Sequence, residues 1–259
     1  EDGIRDKLVT GVQTCALPIL VLFRNAVRMA LRRAGYHATF MCLPPFGSPM
    51  SSGWHLHQSL VRLSDGANMM RRDSPDPNAQ VHDARSILSE SGEQWLAGLL
   101  HHAAGMTALC VPTTNGYGRF RPNALAPQSV LWGRDNRGAL LRVIGPCGDP
   151  GTRIENRLGE PAANPYLYLA AQIHAGLDGI RQRRSAPPGT DDPYSPTAQR
   201  LPSTLSLALQ ALVDDPAMVE GLGSDFVAYY QRIKMAEVNR QQAATDPVAF
   251  QRREYFSRL

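Results

Sequence analysis

Two short stretches of the chain combine residue types that handle divalent cations and anionic oxygens. In Thr152-Arg-Ile-Glu-Asn-Arg157, β-strand alternation puts Arg153, Glu155 and Arg157 on one face, a carboxylate between two guanidiniums. Far upstream, Gly53-Trp-His-Leu-His-Gln-Ser59 repeats the device with His55 and His57 on a common face, followed by the hydroxyl of Ser59. Imidazole and carboxylate can share one divalent cation, and guanidiniums hold anionic oxygens in bidentate fashion. Together the two stretches suit ATP-dependent chemistry on a carboxylate. Taken singly, each has a blander use: His-x-His as a packing pair, Arg-x-Glu-x-Arg as a solvated salt-bridge ladder.

The elements that must carry these residues can be read from periodicity and punctuation. Leu20 to Ala34 has helical apolar spacing at Val27, Leu31 and Ala34, and Gly35 is placed to cap its C-terminus. Tyr36 to Leu43 reads as a strand, and Pro44 to Ser52 as a turn-rich loop delivering the chain to His55 and His57. Ser64 to Ala67 reads as a hairpin turn, and Arg71 to Asp83 as a polar, mobile excursion. Ser91-x-x-Gln94 suggests a capping box opening a helix over Gly92 to Leu109, in which His101 and His102 are packing residues. Pro112 to Pro127, rich in Gly and Pro, is a long loop of the kind that carries binding groups.

Ser129 to Trp132, Leu140 to Ile144 and Thr152 to Leu158 are short strands, with turns at Asp135 to Gly138 and Gly145 to Gly151. Asn164 and Pro165 open a helix over Tyr166 to Arg184. Ser185 to Pro202 is a Pro-rich linker, followed by helices at Leu205 to Val213, Pro216 to Leu222 and Phe226 to Ala244. The result is an α+β fold, a mostly antiparallel sheet flanked by helices.

Composition narrows the function classes. A chain of 259 residues with 43% hydrophobic residues can bury a substantial core. The net charge is +4, but the basic residues are almost all scattered arginines, Lys7 and Lys234 being the lysines. With no basic run and no interleaved aromatics, no nucleic-acid groove is expected. Cys15, Cys42, Cys110 and Cys147 show neither CxxC nor metal-ligand spacing, which fits a reducing cytoplasm. The apolar run from Ala16 to Phe23 is interrupted by Pro18 and falls far short of the ~20 residues a membrane span needs. Val9 to Ile19 looks like the in-frame translation of a sequencing-library adapter, and Glu1 to Leu8 goes with it. Residues 1–19 are therefore set apart from the domain at 20–259. A secretory signal lacks its small-residue cleavage site.

Further segments occur in order: Thr114-Asn-Gly-Tyr-Gly-Arg-Phe-Arg-Pro122, Arg134-Asp-Asn-Arg-Gly-Ala-Leu-Leu-Arg142, Pro161-Ala-Ala-Asn-Pro165 and Ala175-Gly-Leu-Asp-Gly-Ile180. With the two opening stretches they resemble the glutamine synthetase family, from about Leu20 to the C-terminus. The resemblance implies a catalytic domain incomplete at its N-terminus. The activity it implies is an ATP-dependent ligase, a cytoplasmic homo-oligomer, that activates the γ-carboxylate of glutamate as an acyl phosphate, which ammonia or an amine then displaces. It also implies ATP and Mg2+ or Mn2+ as cofactors. His55 and Glu155 match metal ligands; His57, Ser59, Arg142 and Arg153 match nucleotide-binding residues. Arg119, Arg137 and Arg157 match residues that hold glutamate or the transferred phosphoryl group, Arg119 and Arg137 being the catalytic pair.

Three departures qualify the resemblance. Pro122-Asn-Ala-Leu-Ala-Pro127 places Leu125 where ammonia-using members have an acidic residue that binds ammonium and takes its proton, so a larger, less polar amine is expected. The flap Phe46 to Gly53 is one residue longer than the usual version. The family's remaining metal-binding glutamates lie upstream of the first helix, so this polypeptide alone is expected to be incomplete as a catalyst. The competing reading is a degenerate, non-catalytic member acting as a regulatory or structural subunit. A phosphate loop is excluded, since Gly116-Tyr-Gly118 lacks a third glycine and a Gly-Lys-Ser/Thr ending.

Overall fold

The computed structural model describes residues 12–45, 50–80, 82–121 and 124–259. Its helices are α1 (Val12–Arg33), α2 (Glu90–His101), α3 (Ala103–Cys110), α4 (Pro165–Arg181), α5 (Leu205–Val213), α6 (Pro216–Leu222), α7 (Ser224–Gln242) and α8 (Pro247–Gln251). The strands are β1 (Leu56–Gln58), β2 (Trp132–Arg134), β3 (Leu141–Ile144) and β4 (Arg153–Asn156), in the order β1-β4-β3-β2. β4 runs antiparallel to both β1 and β3, while β2 and β3 are parallel. The α+β expectation holds, with one parallel pair in an otherwise antiparallel sheet.

Caps set several boundaries where the sequence places them. Asn164 accepts the Tyr166 N–H and Pro165 fills the first turn of α4. Thr204 caps α5, and Asp215 with Pro216 opens α6. Gly35, at φ +82, ends α1 as expected, although that helix starts at Val12 rather than Leu20. The hairpin turn lies at Arg62 to Ala67, closed by Arg62 N–H to Ala67 O at 2.9 Å.

Four expectations change. Tyr36 to Leu43 joins no sheet: the Leu43 backbone is served at both N–H and C=O by the Asn115 side chain, leaving it no ladder to join. β2 begins at Trp132, because Ser129 makes only an isolated bridge to Arg200. The helix expected over Gly92 to Leu109 starts earlier, capped by Ser89, whose Oγ accepts the Gly92 N–H, and it divides at His102 into α2 and α3. The Pro-rich stretch after α4 is a strap rather than a linker. Thr190 N–H bonds Trp132 O at 2.9 Å and Trp132 Nε1–H bonds Pro187 O at 2.7 Å, covering the β2 edge.

The sheet has two unlike faces. Leu141, Val143 and Ile154 point inward and pack with Trp95, Leu99, Tyr168, Ala171 and Ala175 of the helices. Burying each such large side chain contributes about 1.5–3 kcal/mol. α2 and α4 touch backbone to backbone: a methyl on Gly98 would lie 2.2 Å from Ala175 O, and one on Gly176 would lie 2.2 Å from the Trp95 ring. A buried amide network ties the strands to these helices. Gln172 Oε1 accepts from Gln58 Nε2 at 3.1 Å and Asn156 Nδ2 at 2.8 Å, and Gln58 Oε1 accepts from Trp95 Nε1 at 2.9 Å. β1 and β4 are thus pinned from behind, which fixes whatever their other face presents.

Candidate active site on the outer face of the sheet

Strand register builds the site. His57 is paired with Glu155, and Glu155 with Arg142, so three residues from three strands form one row on the outer face. Alternation adds Arg153 and, just past the strand ends, His55 and Arg157. Glu155 is the hub. Its Oε1 lies 2.8 Å from Arg157 Nη1, 3.0 Å from His55 Nδ1 and 3.8 Å from His57 Nε2, and its Oε2 lies 3.2 Å from Arg142 Nη1. Arg153 Nε–H donates to His57 Nδ1 at 3.2 Å. His55 and Glu155, matched by resemblance to metal ligands, lie within 3.0 Å of each other.

Electrostatics sort the protonation states. Burial disfavours ionised Glu155, but the Arg157 charge and the Arg142 hydrogen bond outweigh it and hold the carboxyl below its usual range. Burial, reinforced by Arg157 and opposed by Glu155, pushes His55 down to about 4, so its ring is neutral at pH 7. Its Nδ1 stands 3.0 Å from Glu155 and 3.3 Å from Arg157 Nη1, and a neutral ring donates to the first or accepts from the second. Burial lowers His57 as well, with Glu155 opposing and three arginines assisting.

The remaining sequence candidates are distributed around this cluster. Arg119 is only 2% exposed, and its Nη1 donates to Leu158 O at 3.2 Å and Gly159 O at 3.0 Å. It approaches the site at Gly53, where an added methyl would stand 3.0 Å from Arg119 Nη2 and 2.8 Å from His55 Nε2. Arg137 is exposed on the turn after β2, and its charge helps lower the Arg157 pKa, burial being the larger cause. Ser59, half-buried just beyond β1, makes no hydrogen bond to the cluster among the described residues. Leu125 is 56% exposed in the left-handed region at φ 55. Of its loop, residues 122 and 123 lie outside the described residues, as do 46–49 of the longer flap.

Three supporting residues escaped the sequence reading. Asp135 grips Arg142 Nη2 at 3.0 Å. Glu160, fully buried, accepts the Thr113 N–H at 3.1 Å and Oγ1–H at 2.7 Å at the root of the Arg119 loop. Burial pushes its pKa up. Tyr255 bonds Thr114 Oγ1 at 2.7 Å and also Glu237. Their partners lie 7 to 141 residues away, and of these only the Asp-Asn-Arg-Gly turn carried a local signal.

The cluster is rich in donors. Arg142 and Arg157 grip the Glu155 carboxylate, Arg153 stands beside them on His57 and Arg119 lies behind, and among the described residues the Nε atoms of Arg119, Arg142 and Arg157 are buried without a hydrogen-bond partner. Four guanidinium charges near one carboxylate leave this face with excess positive charge, suited to receiving anionic oxygens. Among the described residues no group of three or more His, Cys, Asp or Glu side chains could hold a metal ion.

The fold and this site define a glutamine synthetase-type catalytic domain, and comparison with known proteins agrees. The family model for the glutamine synthetase catalytic domain matches residues 15–253, and the chain belongs to the glutamine synthetase family. It is 36% identical over 250 residues to a gamma-glutamylanilide synthase of Acinetobacter sp, covering 92% of this chain and 48% of that protein. It is 37% identical over 227 residues to the glutamine synthetase of Thermus thermophilus, covering 84% of this chain and 48% of that protein. A solved GmaS/ADP complex superposes with a TM-score of 0.75 at 31% identity, covering 91% of this chain and 53% of that one. The chain spans about half the length of the relatives it matches. No helix among the described residues is long and apolar enough to cross a membrane.

Proposed function

We propose that the full-length protein is an ATP-dependent ligase that joins the γ-carboxylate of glutamate to an amine through an acyl phosphate. The observation that carries this is the Glu155 carboxylate held by Arg142 and Arg157 on the outer face of the sheet, with His55, His57 and Arg153 beside it. Phosphoryl transfer is chiefly positioning and neutralisation of charge on equatorial oxygens, which such a cluster supplies. Arg142, Arg153, His57 and Ser59 are assigned to ATP. Arg157 and Arg137 are assigned to glutamate and the transferred phosphoryl group, and Arg119 joins them through its Nη2 side at Gly53.

Neutral His55 and ionised Glu155 would hold one divalent cation, Mg2+ or Mn2+. Such an ion neutralises charge on the phosphates. One histidine and one glutamate do not hold two such ions. In the reaction, a γ-carboxylate oxygen attacks the terminal phosphorus of ATP and ADP leaves. The amine nitrogen then attacks the acyl carbon, losing a proton, and phosphate leaves. A homo-oligomeric, cytoplasmic parent is part of the proposal.

The amine is assigned to the organic class rather than to ammonia. Leu125 has no carboxylate to desolvate ammonium and take its proton, whereas an apolar wall suits the stem of a larger amine. The similarity to a gamma-glutamylanilide synthase points the same way. Leu125 also favours a second reading, a non-catalytic subunit. The test is to incubate the full-length protein with ATP, glutamate labelled with 18O in its γ-carboxylate, and a panel of amines. The ligase reading expects label in the released phosphate together with a γ-glutamyl amide. Absence of both, with the protein folded, would establish the non-catalytic reading.

A further inference from the structure

Six residues, 135–140, carry the chain from the end of β2 back to the start of its parallel neighbour β3. Parallel strands ordinarily need a longer crossover. The return is short because both strands are short and because Asp135, immediately after β2, takes the left-handed conformation at φ 49 while its N–H still bonds Val143 O at 3.0 Å. Asn136 and Gly138 are occupied elsewhere. Asn136 Oδ1 accepts the Gly138 N–H, its Nδ2 donates to Asp191 O at 3.1 Å, and a methyl on Gly138 would strike Pro193 at 2.5 Å. Asp135 alone of the three sends its side chain to the site, Oδ1 lying 3.0 Å from Arg142 Nη2.

We propose that Asp135 is a positioning residue, which clamps the Arg142 guanidinium against Glu155 in the one orientation that receives a nucleotide phosphate. Arg142 is held at both ends, Nη2 by Asp135 and Nη1 by Glu155, while its Nε is buried and unpaired. Two of its five N–H groups are thereby used, and one on each Nη nitrogen is kept for a ligand. An ion pair to a carboxylate 59% exposed adds little to stability. A non-glycine residue in the left-handed region is uncommon, tolerated best by Asp and Asn, and such conformations gather at functional sites. Orientation of Arg142 accounts for both.

The proposal rests on the assignment of Arg142 to ATP, and the experiment separates the two. In the full-length protein, KM for ATP, KM for glutamate and kcat are measured for Asp135→Gly, Asp135→Asn and Arg142→Ala. Glycine keeps the backbone conformation and removes the clamp; asparagine keeps the conformation and an acceptor but removes the charge. Asp135→Gly is expected to raise KM for ATP by about three- to tenfold, the loss of one partly screened charge-assisted hydrogen bond. Asp135→Asn should give a smaller rise, and KM for glutamate should stay within twofold in both. A purely structural role would move kcat and both KM values together, which overturns the proposal. An unchanged KM for ATP in both Asp135 variants, with a raised value in Arg142→Ala, also overturns it while sparing the ATP assignment. An unchanged KM for ATP in Arg142→Ala overturns both.

Discussion

Replacing His102 by leucine tests how a buried imidazole joins three helical elements. His102 sits at the break between α2 and α3, with Nδ1 2.8 Å from Asp215 Oδ2 at the start of α6 and Nε2 2.9 Å from Asp178 Oδ2 on α4. Arg184 also bonds Asp178, at 2.9 Å, and the His101 ring meets His102 edge-on at 4.7 Å. Burial works against protonated His102, but hydrogen bonds to Asp215 and Asp178 outweigh it, so its pKa is raised. Its contribution is therefore complete below the unfolded value of about 6.5 and is lost as pH rises through the folded value. Asp178, although burial pulls it up, is lowered on balance by His102 and Arg184, so its part is present above about pH 4 and is lost as pH falls through its own folded value. The carboxylates retain some solvent contact and other partners, so the loss sits near the low end of the range for a broken buried pair, about 3 kcal/mol. At roughly 2–4 °C per kcal/mol for a chain of this size, Tm at pH 6 should fall by about 6–12 °C. Thermal unfolding followed by circular dichroism at pH 6 and pH 9 checks this, the gap between variant and wild type narrowing at the higher pH. A variant within about 2 °C of wild type at pH 6, or a gap that widens at high pH, would show that His102 does not tie these helices together through its charge.

Three further outcomes follow from particular contacts. Gly176→Ala forces a methyl into the Trp95 ring and should cost about 1–3 kcal/mol, read as a lower urea midpoint. Tyr255→Phe removes the hydroxyl shared by Thr114 and Glu237 and should cost about 1–3 kcal/mol, with faster amide hydrogen exchange in the 113–119 loop. Leu125→Glu in the full-length protein should shift the ratio of catalytic efficiencies toward ammonia and away from organic amines. Should the wild type already make glutamine fastest among the products tested, Leu125 is not the determinant of amine choice.

Local signals carried the helical half of the fold. Asn164-Pro165 announces a cap and α4 begins there, and α5 and α6 occupy the segments expected at Leu205 to Val213 and Pro216 to Leu222, opened by Thr204 and Asp215. The same kind of signal, Asp246 before Pro247, opens α8, a helix too short for its periodicity to register. What escaped was non-local. The break at His102 is held by carboxylates 76 and 113 residues away, and the strand expected at Tyr36 to Leu43 is pre-empted by Asn115. For the site, alternation placed Glu155 between two arginines and His55 beside His57. Only strand register, which no local pattern encodes, shows that Arg142 completes the row. The Asp135 clamp and the buried Glu160 depend on contacts of the same non-local kind.

The Glu155 hub is assigned to organising the reacting groups, and Glu155→Gln removes its charge while conserving its shape. The measurement is the initial rate of ATP-dependent γ-glutamyl amide formation by the full-length protein, with wild type and variant compared at matched fold by circular dichroism. A fall of about 10²–10³ in kcat is expected, since the arginines and His55 lose the carboxylate that orders them. A folded variant within threefold of wild type would contradict it and move the reaction away from this face of the sheet.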